Sequence, residues 1–376
     1  MTIVIAPDKF KGSLTAEQVC EAVRKGILSV SPVSKITSVP LADGGEGTVE
    51  LLTRFAGGQM VPIEVLGPDS KPTMAELGIS KDARTAFIEM AKASGLQLLT
   101  VQDRNPMNTS TYGTGQMIRY ALERGVTNII MGIGGSATND AGAGMAAALG
   151  FEFIFDEGKA IAPLGRDLVS LRAINKAKAH PGIDKTKFIV LCDVDNPLYG
   201  LNGAAQVFGP QKGALPEQVQ VLDHGLRNFE TVVKKEFGTE ANFPGAGAAG
   251  GLGAGAKVFL GATIMRGFEY IAHFTGLDEK IKSADIVITG EGKVDTQTLS
   301  GKVVKGVAAL ATKHKKKCIA FAGKSELNNQ QLKEVGIDDV ITLVDASTGE
   351  TEAISRAASL LEKRAADYIS VCISDH

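Results

Sequence analysis

Apolar residues in this chain fall in short unbroken runs separated by longer amphipathic stretches. "TIVIAP" opens it, and "ITSVPLAD", "NIIMGIG", "KFIVLCDV", "ADIVITGEG", "KCIAFAGKS" and "DDVITLVD" repeat the form. Such runs read as strands buried on both faces, and most are followed by a stretch of helical period. Thr15 and Gln18 make a capping box for a helix reaching about Val30. A final helix would place Ile354, Ala358, Leu361, Ala365 and Tyr368 on one stripe. Strands alternating with helices predict parallel βαβ units. From about Met60 to Met90 the pattern changes. "MVPIEVLG", "TMAELGIS" and "RTAFIEMA" follow one another with few helices between them, which predicts antiparallel pairing. A helix near Gly115–Arg124 and a long one from Pro216 to about Phe237 complete the middle. With 376 residues, two domains are expected. Because both ends share one pattern, residues 1–65 and 286–376 are expected to form a doubly wound parallel domain. Residues 66–285 are then an inserted α/β domain of mixed sheet with glycine-rich loops.

Composition narrows the function classes. Apolar residues make up 44% and charged residues 22%, and the net charge is −2, which gives no signal for nucleic acid or an acidic membrane surface. Cys20, Cys192, Cys318 and Cys372 form no CxxC motif. The first strand begins directly after Met1, so no signal peptide is expected and a reducing cytoplasm is. Gly245–Met265 has the length of a membrane span and one charge, Lys257. It is mostly Gly and Ala, and reads instead as a packed helix with a glycine loop before it. The 44 glycines gather at strand ends, a sign of loop chemistry.

Ligands of doubly wound sheets bind beyond the carboxyl ends of strands. After the first strand come Asp8, Lys9 and Lys11, and after the second Asp43, Gly44, Gly45 and Glu46. "NIIMGIG" leads to Gly134, Gly135, Ser136, Thr138, Asn139 and Asp140. "FIVLC" leads to Asp193 and Asp195, and "DIVIT" to Glu291, Lys293, Asp295 and Gln297. Carboxylates for a metal, cations for phosphates and N–H-rich glycine turns are the parts phosphoryl transfer needs. Asp193, Glu291 and Asp295 can supply Mg²⁺ ligands. Lys9 and Lys11 face one way if the chain there is extended, and can hold a carboxylate or phosphates. Gly134, Gly135, Ser136, Thr138 and Asn139 suit either nucleotide phosphates or a substrate carboxylate. Gly132-x-Gly134-x-x-Ala137, with Asp156 beyond it, also fits a loose dinucleotide fingerprint. A nicotinamide oxidoreductase of a small hydroxy acid therefore competes, as does a non-catalytic ligand-binding protein. No Walker A, protein-kinase or G-x-S-x-G set occurs, and His180, His224, His273, His314 and His376 read as structural or surface residues.

Seven blocks in order carry a resemblance: "APDKFKGSLTA", "PLADGGEGT", "NPMNTSTYGTGQMI", "GIGGSATNDAGAGMAAALG", "DNPLYGLNGAAQVFGPQKGA", "PGAGAAGGLGAG" and "GEGKVDTQTLSGK". They are similar to the bacterial glycerate kinase type 1 family. The resemblance implies two α/β domains, one flavodoxin-like, and ATP- and Mg²⁺-dependent phosphorylation of D-glycerate. It implies 2-phosphoglycerate as the product, with 3-phosphoglycerate the alternative, in a monomer or homodimer with no nucleic-acid or membrane partner. One departure is Val304 in "GKVVKGVA", where a proline would be expected. Glycerate and a triphosphate are both anions, so a cation or a set of N–H donors must hold the carboxylate. Lys9 and Lys11 are assigned that task. Asp193 is assigned as base, with Asp43 as alternate, because both follow apolar strands directly. Gly44, Gly45 and Lys293 are assigned to nucleotide or substrate, Asp295 and Glu291 to the metal, and the reaction to an interdomain cleft that closes on substrate.

Overall fold

The computed structural model describes residues 1–42, 44–45, 47–156, 163–295, 298, 303–345 and 347–374. In chain order its strands are β1 (Thr2–Ile5), β2 (Lys35–Ser38), β3 (Gln59–Leu66), β4 (Pro72–Ile79), β5 (Thr85–Glu89) and β6 (Asn128–Gly132). They continue with β7 (Glu152–Phe155), β8 (Leu171–Asn175), β9 (Lys187–Leu191), β10 (Thr263–Met265), β11 (Ile286–Val294), β12 (Lys317–Ser325) and β13 (Asp339–Thr342).

The chain divides into two compact units, residues 1–43 with 268–376, and residues 44–267. In the first, the strand order is β2-β1-β11-β12-β13, and every pairing is parallel. Counted within the unit this is 2-1-3-4-5, the flavodoxin-like order. Ile3, Ile5, Ile288, Ile319 and Phe321 are buried in its core with Val23 and Ile27 of the helix Ala16–Val30. That helix starts at the expected capping box, where Thr15 Oγ1 accepts from Gln18 N and Gln18 Oε1 accepts from Thr15 N.

The second unit carries a six-stranded mixed sheet, β10-β9-β6-β5-β4-β3. β10, β9, β6 and β5 are parallel, and β4 and β3 add as an antiparallel meander. β7 and β8 form a separate antiparallel pair. The helix Pro216–Phe237 falls where the pattern placed it, with Leu222, Leu226, Phe229 and Val233 buried. Among the described residues, no helix is long and apolar enough to cross a membrane.

Two expectations shift. The unit boundaries fall at 43/44 and 267/268, not at 65/66 and 285/286. β3 hydrogen-bonds along its length to β4, which ties residues 59–66 to the inserted sheet. The helix Leu277–Lys282 belongs to the first unit, where Leu277 and Ile281 are buried. The final helix also breaks. It ends at Ser355 and restarts as Ala357–Ser374, because Arg356 leaves helical geometry at φ −114°, ψ 17°. Leu361 and Ala365 of the expected stripe are buried and Tyr368 packs against the core, but ahead of them Ala353 and Ala357 are the buried residues, whereas Ile354 is 50% exposed. Leu361→Ala should therefore cost about 2–5 kcal/mol by leaving a core cavity. Ile354→Ala should stay within about 0.5 kcal/mol. Urea unfolding of the two variants checks the phase, and equal losses would restore the continuous stripe.

Candidate active site

The apolar run of β6 stops at Gly132, and the chain then turns through Gly134 and Gly135, both exposed. Gly135 sits at φ +75°. The turn is anchored from its inner side. Leu96 N donates to Gly135 O and Ala137 N to Ser94 O, each at 2.9 Å, and Thr109 Oγ1 donates to Ala137 O at 2.8 Å. The backbone N–H groups of Gly134, Gly135, Ser136, Thr138 and Asn139 find no acceptor among the described residues. Thr138 Oγ1 and both side-chain polar atoms of Asn139 are also buried without a partner. Buried polar groups are nearly always paired, so the unpartnered donors at the buried Ser136, Thr138 and Asn139 stand out; the exposed N–H groups of Gly134 and Gly135 adjoin them, and Asn139 Oδ1 is an unpartnered acceptor.

Asp140 and Lys212 hold the turn from beneath. Asp140 is fully buried and accepts from Thr111 N and Oγ1, both at 2.8 Å, and from Gly142 N and Gly144 N, both at 3.2 Å. Burial pushes its carboxyl above the usual carboxylate range, and the four hydrogen bonds pull the other way. Lys212, 3% exposed, donates from Nζ to Ser136 Oγ and to Thr138 O, each at 2.7 Å. Burial pushes its ammonium down to about 7, against the opposing pull of Asp140. Behind the turn lies the Gly- and Ala-rich helix Ala248–Leu260, whose residues 249–251 take left-handed geometry. Gly250 has φ +67°, and a methyl there would stand 1.9 Å from Thr138 O. This stretch is therefore close packing against the turn.

Three sequence-assigned groups meet at the carboxyl ends of the neighbouring parallel strands β6 and β9. A methyl on Gly134 would stand 3.8 Å from Gly45 Cα, and one on Gly132 would stand 3.0 Å from Gly44 O. One on Gly44 would lie 3.4 Å from Asp193 Oδ2. Asp193 is half-buried, and its Oδ1 accepts from Gly267 N at 3.0 Å. Arg266 and Asp195 form an ion pair on the same segment.

The remaining assigned residues lie in the first unit, at the ends of β1 and β11. Asp8 N donates to Gly290 O at 2.8 Å. A methyl on Gly292 would stand 3.3 Å from Lys11 N, which places the β1 loop against β11. The chain is not extended through Lys11. Phe10, between the two lysines, is buried, and its backbone closes a tight turn onto Leu14 that contains Lys11. Lys293 pairs with Asp295 Oδ2 at 2.9 Å and Glu326 Oε2 at 3.0 Å, which holds its ammonium above its ordinary range. Thr298 Oγ1 donates to Glu291 Oε1 at 2.6 Å and accepts from Asp295 N at 2.9 Å. Asp43, Glu46 and Gln297 lie outside the described residues. Among the described residues, no cluster of three or more His, Cys, Asp and Glu side chains could hold a metal ion.

The dinucleotide reading loses its acidic partner. Asp156 ends β7, which pairs with β8 rather than beside β6, and it forms an exposed ion pair with Arg172. A dinucleotide unit needs the strand after the helix to lie parallel in the same sheet. Lys212 is the residue that sequence reasoning missed. Its signal was a lone lysine in "GPQKGA", between glycines that force a tight turn.

A flavodoxin-like unit, an inserted mixed α/β unit and a glycine turn with open N–H groups beside a carboxylate fit a small-molecule phosphotransferase more readily than a hydride-transfer enzyme. The comparisons agree: residues 3–372 match the glycerate kinase family, and the chain belongs to it. It is 47% identical over 365 residues to the glycerate kinase of Halalkalibacterium halodurans, covering 97% of this chain and 96% of that one. It is 44% identical to the glycerate 2-kinase of Escherichia coli K12, covering 95% and 96%. A crystal structure from Salmonella typhimurium LT2, assigned as glycerate kinase 2, superposes with a TM-score of 0.91 at 40% identity, covering 100% and 99% of the chains.

The buried lysine has a signature in solution. The unfolded chain binds more protons than the native one at Lys212 between pH about 7 and its ordinary value of 10.5. Its contribution to stability should therefore rise with pH across that window. Lys212→Met should lose this rise, so that wild type gains on the variant from pH 7 to pH about 9.5 in denaturant midpoints. Parallel pH profiles would mean an ordinary lysine.

Proposed function

We propose that the protein transfers the γ-phosphoryl group of ATP to the 2-hydroxyl of D-glycerate. The observation that carries this reading is the row of open N–H donors from Gly134 to Asn139, placed beside Asp193 at the ends of β6 and β9. Open donors hold an anion, either the substrate carboxylate or nucleotide phosphates, and Gly44 and Gly45 complete that wall. Asp193 accepts the hydroxyl proton late in transfer. It follows a rigid strand, and the Gly267 N–H keeps one of its oxygens oriented. Asp43 is the alternate base. Fixed N–H dipoles stabilise the charge that develops on the transferring group without reorganising.

Lys9, Lys11 and Lys293 supply cations to the phosphates or the carboxylate. Glu291 and Asp295 are oxygen donors joined through Thr298, and fit the one or two carboxylates that Mg²⁺ takes from a protein. When bound, Mg²⁺ neutralises phosphate charge. Cys20, Cys192 and Cys318 are buried and Cys372 half-buried, none in a disulfide among the described residues, which suits a reducing cytoplasm.

ADP should be released only when D-glycerate is present, and NMR of the product should give 2-phosphoglycerate. The 3-phosphate would correct the position, and glycerate-independent ADP would overturn the substrate. Asp193→Asn should lower kcat by roughly 10²–10⁴-fold with little change in either KM. A near-normal kcat moves the role to Asp43. In thermal-shift titrations with MgCl₂ and ATP, Glu291→Gln and Asp295→Asn should need more Mg²⁺ for the same rise in Tm. Unchanged titrations would remove both from the metal site.

A further inference from the structure

Lys212 stands on a short turn, Pro210–Lys212, that is fixed on both sides. Lys212 N donates to Gly209 O and Gly213 N to Pro210 O, each at 3.0 Å. Gly213 lies at φ +91°, and a methyl there would come 2.3 Å from Arg104 O. The ammonium is thus delivered to one position, 2.7 Å from Ser136 Oγ and 2.7 Å from Thr138 O. An ammonium has donors and no acceptor lone pair. While Lys212 is protonated the contact has one polarity, with Ser136 Oγ accepting and the hydroxyl hydrogen pointing elsewhere; the neutral amine, formed above pH about 7, carries a lone pair and leaves that polarity open. Ser136 Oγ has no other partner among the described residues. Its O–H lies in the same turn as the open N–H groups of Gly134, Gly135 and Thr138.

We propose that Lys212 is a positioning residue that forces Ser136 to act as a hydrogen-bond donor to the anionic group held by the Gly134–Asn139 turn. This rests on the reading that the turn binds a substrate anion. Ser136 touches the ligand, and Lys212 acts only through Ser136 and Thr138. Replacing Lys212 by Gln lets an amide oxygen accept the Ser136 hydrogen and draw it away from the ligand, whereas Lys212→Arg keeps a donor-only head group.

The test is a double-mutant cycle on the full chain with Ser136→Ala and Lys212→Met, run below pH about 7 where Lys212 is protonated, in which kcat and the KM values for D-glycerate and ATP are measured separately. Circular dichroism checks that each variant is folded. Ser136→Ala should raise one of the two KM values by about tenfold or more, as loss of a hydrogen bond to a charged group does. Lys212→Met should raise the same KM, and the double variant should be no worse than about twofold beyond the worse single variant. If Lys212→Met does not fold, Lys212→Gln replaces it and should raise that KM as well, while Lys212→Arg should recover most of the affinity. Costs that multiply in full, or a loss at Lys212 that spares that KM and falls on kcat or stability alone, would overturn the proposal while leaving the anion-binding turn intact. A Ser136→Ala enzyme with both KM values unchanged would overturn the assignment of Ser136 to the ligand, and the role of Lys212 with it.

Discussion

A single buried carboxylate organises the turn from Gly134 to Asn139. Asp140 has been taken wholly out of water, a move that costs several kcal/mol unless its oxygens are fully engaged. They are engaged by Thr111, Gly142 and Gly144, so the start of the helix Tyr112–Glu123 and the start of the helix Ala143–Ala148 bend around one charge. Because Asp140 draws the amides of Gly142 and Gly144 inward, the amides before it are left for something else. Lys212 supplies the opposite charge from a distant stretch of chain and draws the Ser136 hydroxyl and the Thr138 carbonyl toward itself. The inner face of the turn is thus acceptors on donors, and the face that remains is rich in donors. The anion preference follows from how the buried pair is satisfied, with no exposed cation required at the turn.

Much of this was legible in the chain. β12 and the long helix Pro216–Phe237 fall on the residues that apolar runs and a proline marked. The antiparallel meander followed from strands without intervening helices. Gly134–Asn139 and Asp193 were singled out because a sheet with parallel strands puts ligands at strand ends, and the structure does set them at the ends of the neighbouring strands β6 and β9. What failed depended on contacts between distant residues. β3 looked like part of the first unit until its pairing with β4 was seen, since nothing within residues 59–66 names its partner. The last helix breaks at Arg356, where periodicity alone has no break to report, and only the first residues of the expected stripe, Ile354 and Ala358, are exposed. Lys212 was invisible because its partners are more than seventy residues away in sequence.

The two glycine populations around the turn do different things, although both look alike in sequence. Gly134 has ordinary backbone angles, and a methyl on it would meet nothing closer than 3.8 Å. Its bareness serves the approach of a ligand. Gly250 has a left-handed backbone and presses on a carbonyl of the same turn, so its bareness serves the protein's own packing.

A saturation scan scored by growth would rank both glycines as intolerant and so would not separate them. The separation appears only when cellular abundance is scored beside activity. Positions such as Gly250 should deplete the protein itself, and positions such as Gly134 should leave abundant, idle protein. The Ala248–Leu260 tract would then trace, from soluble yield alone, the outline of a support that touches no substrate.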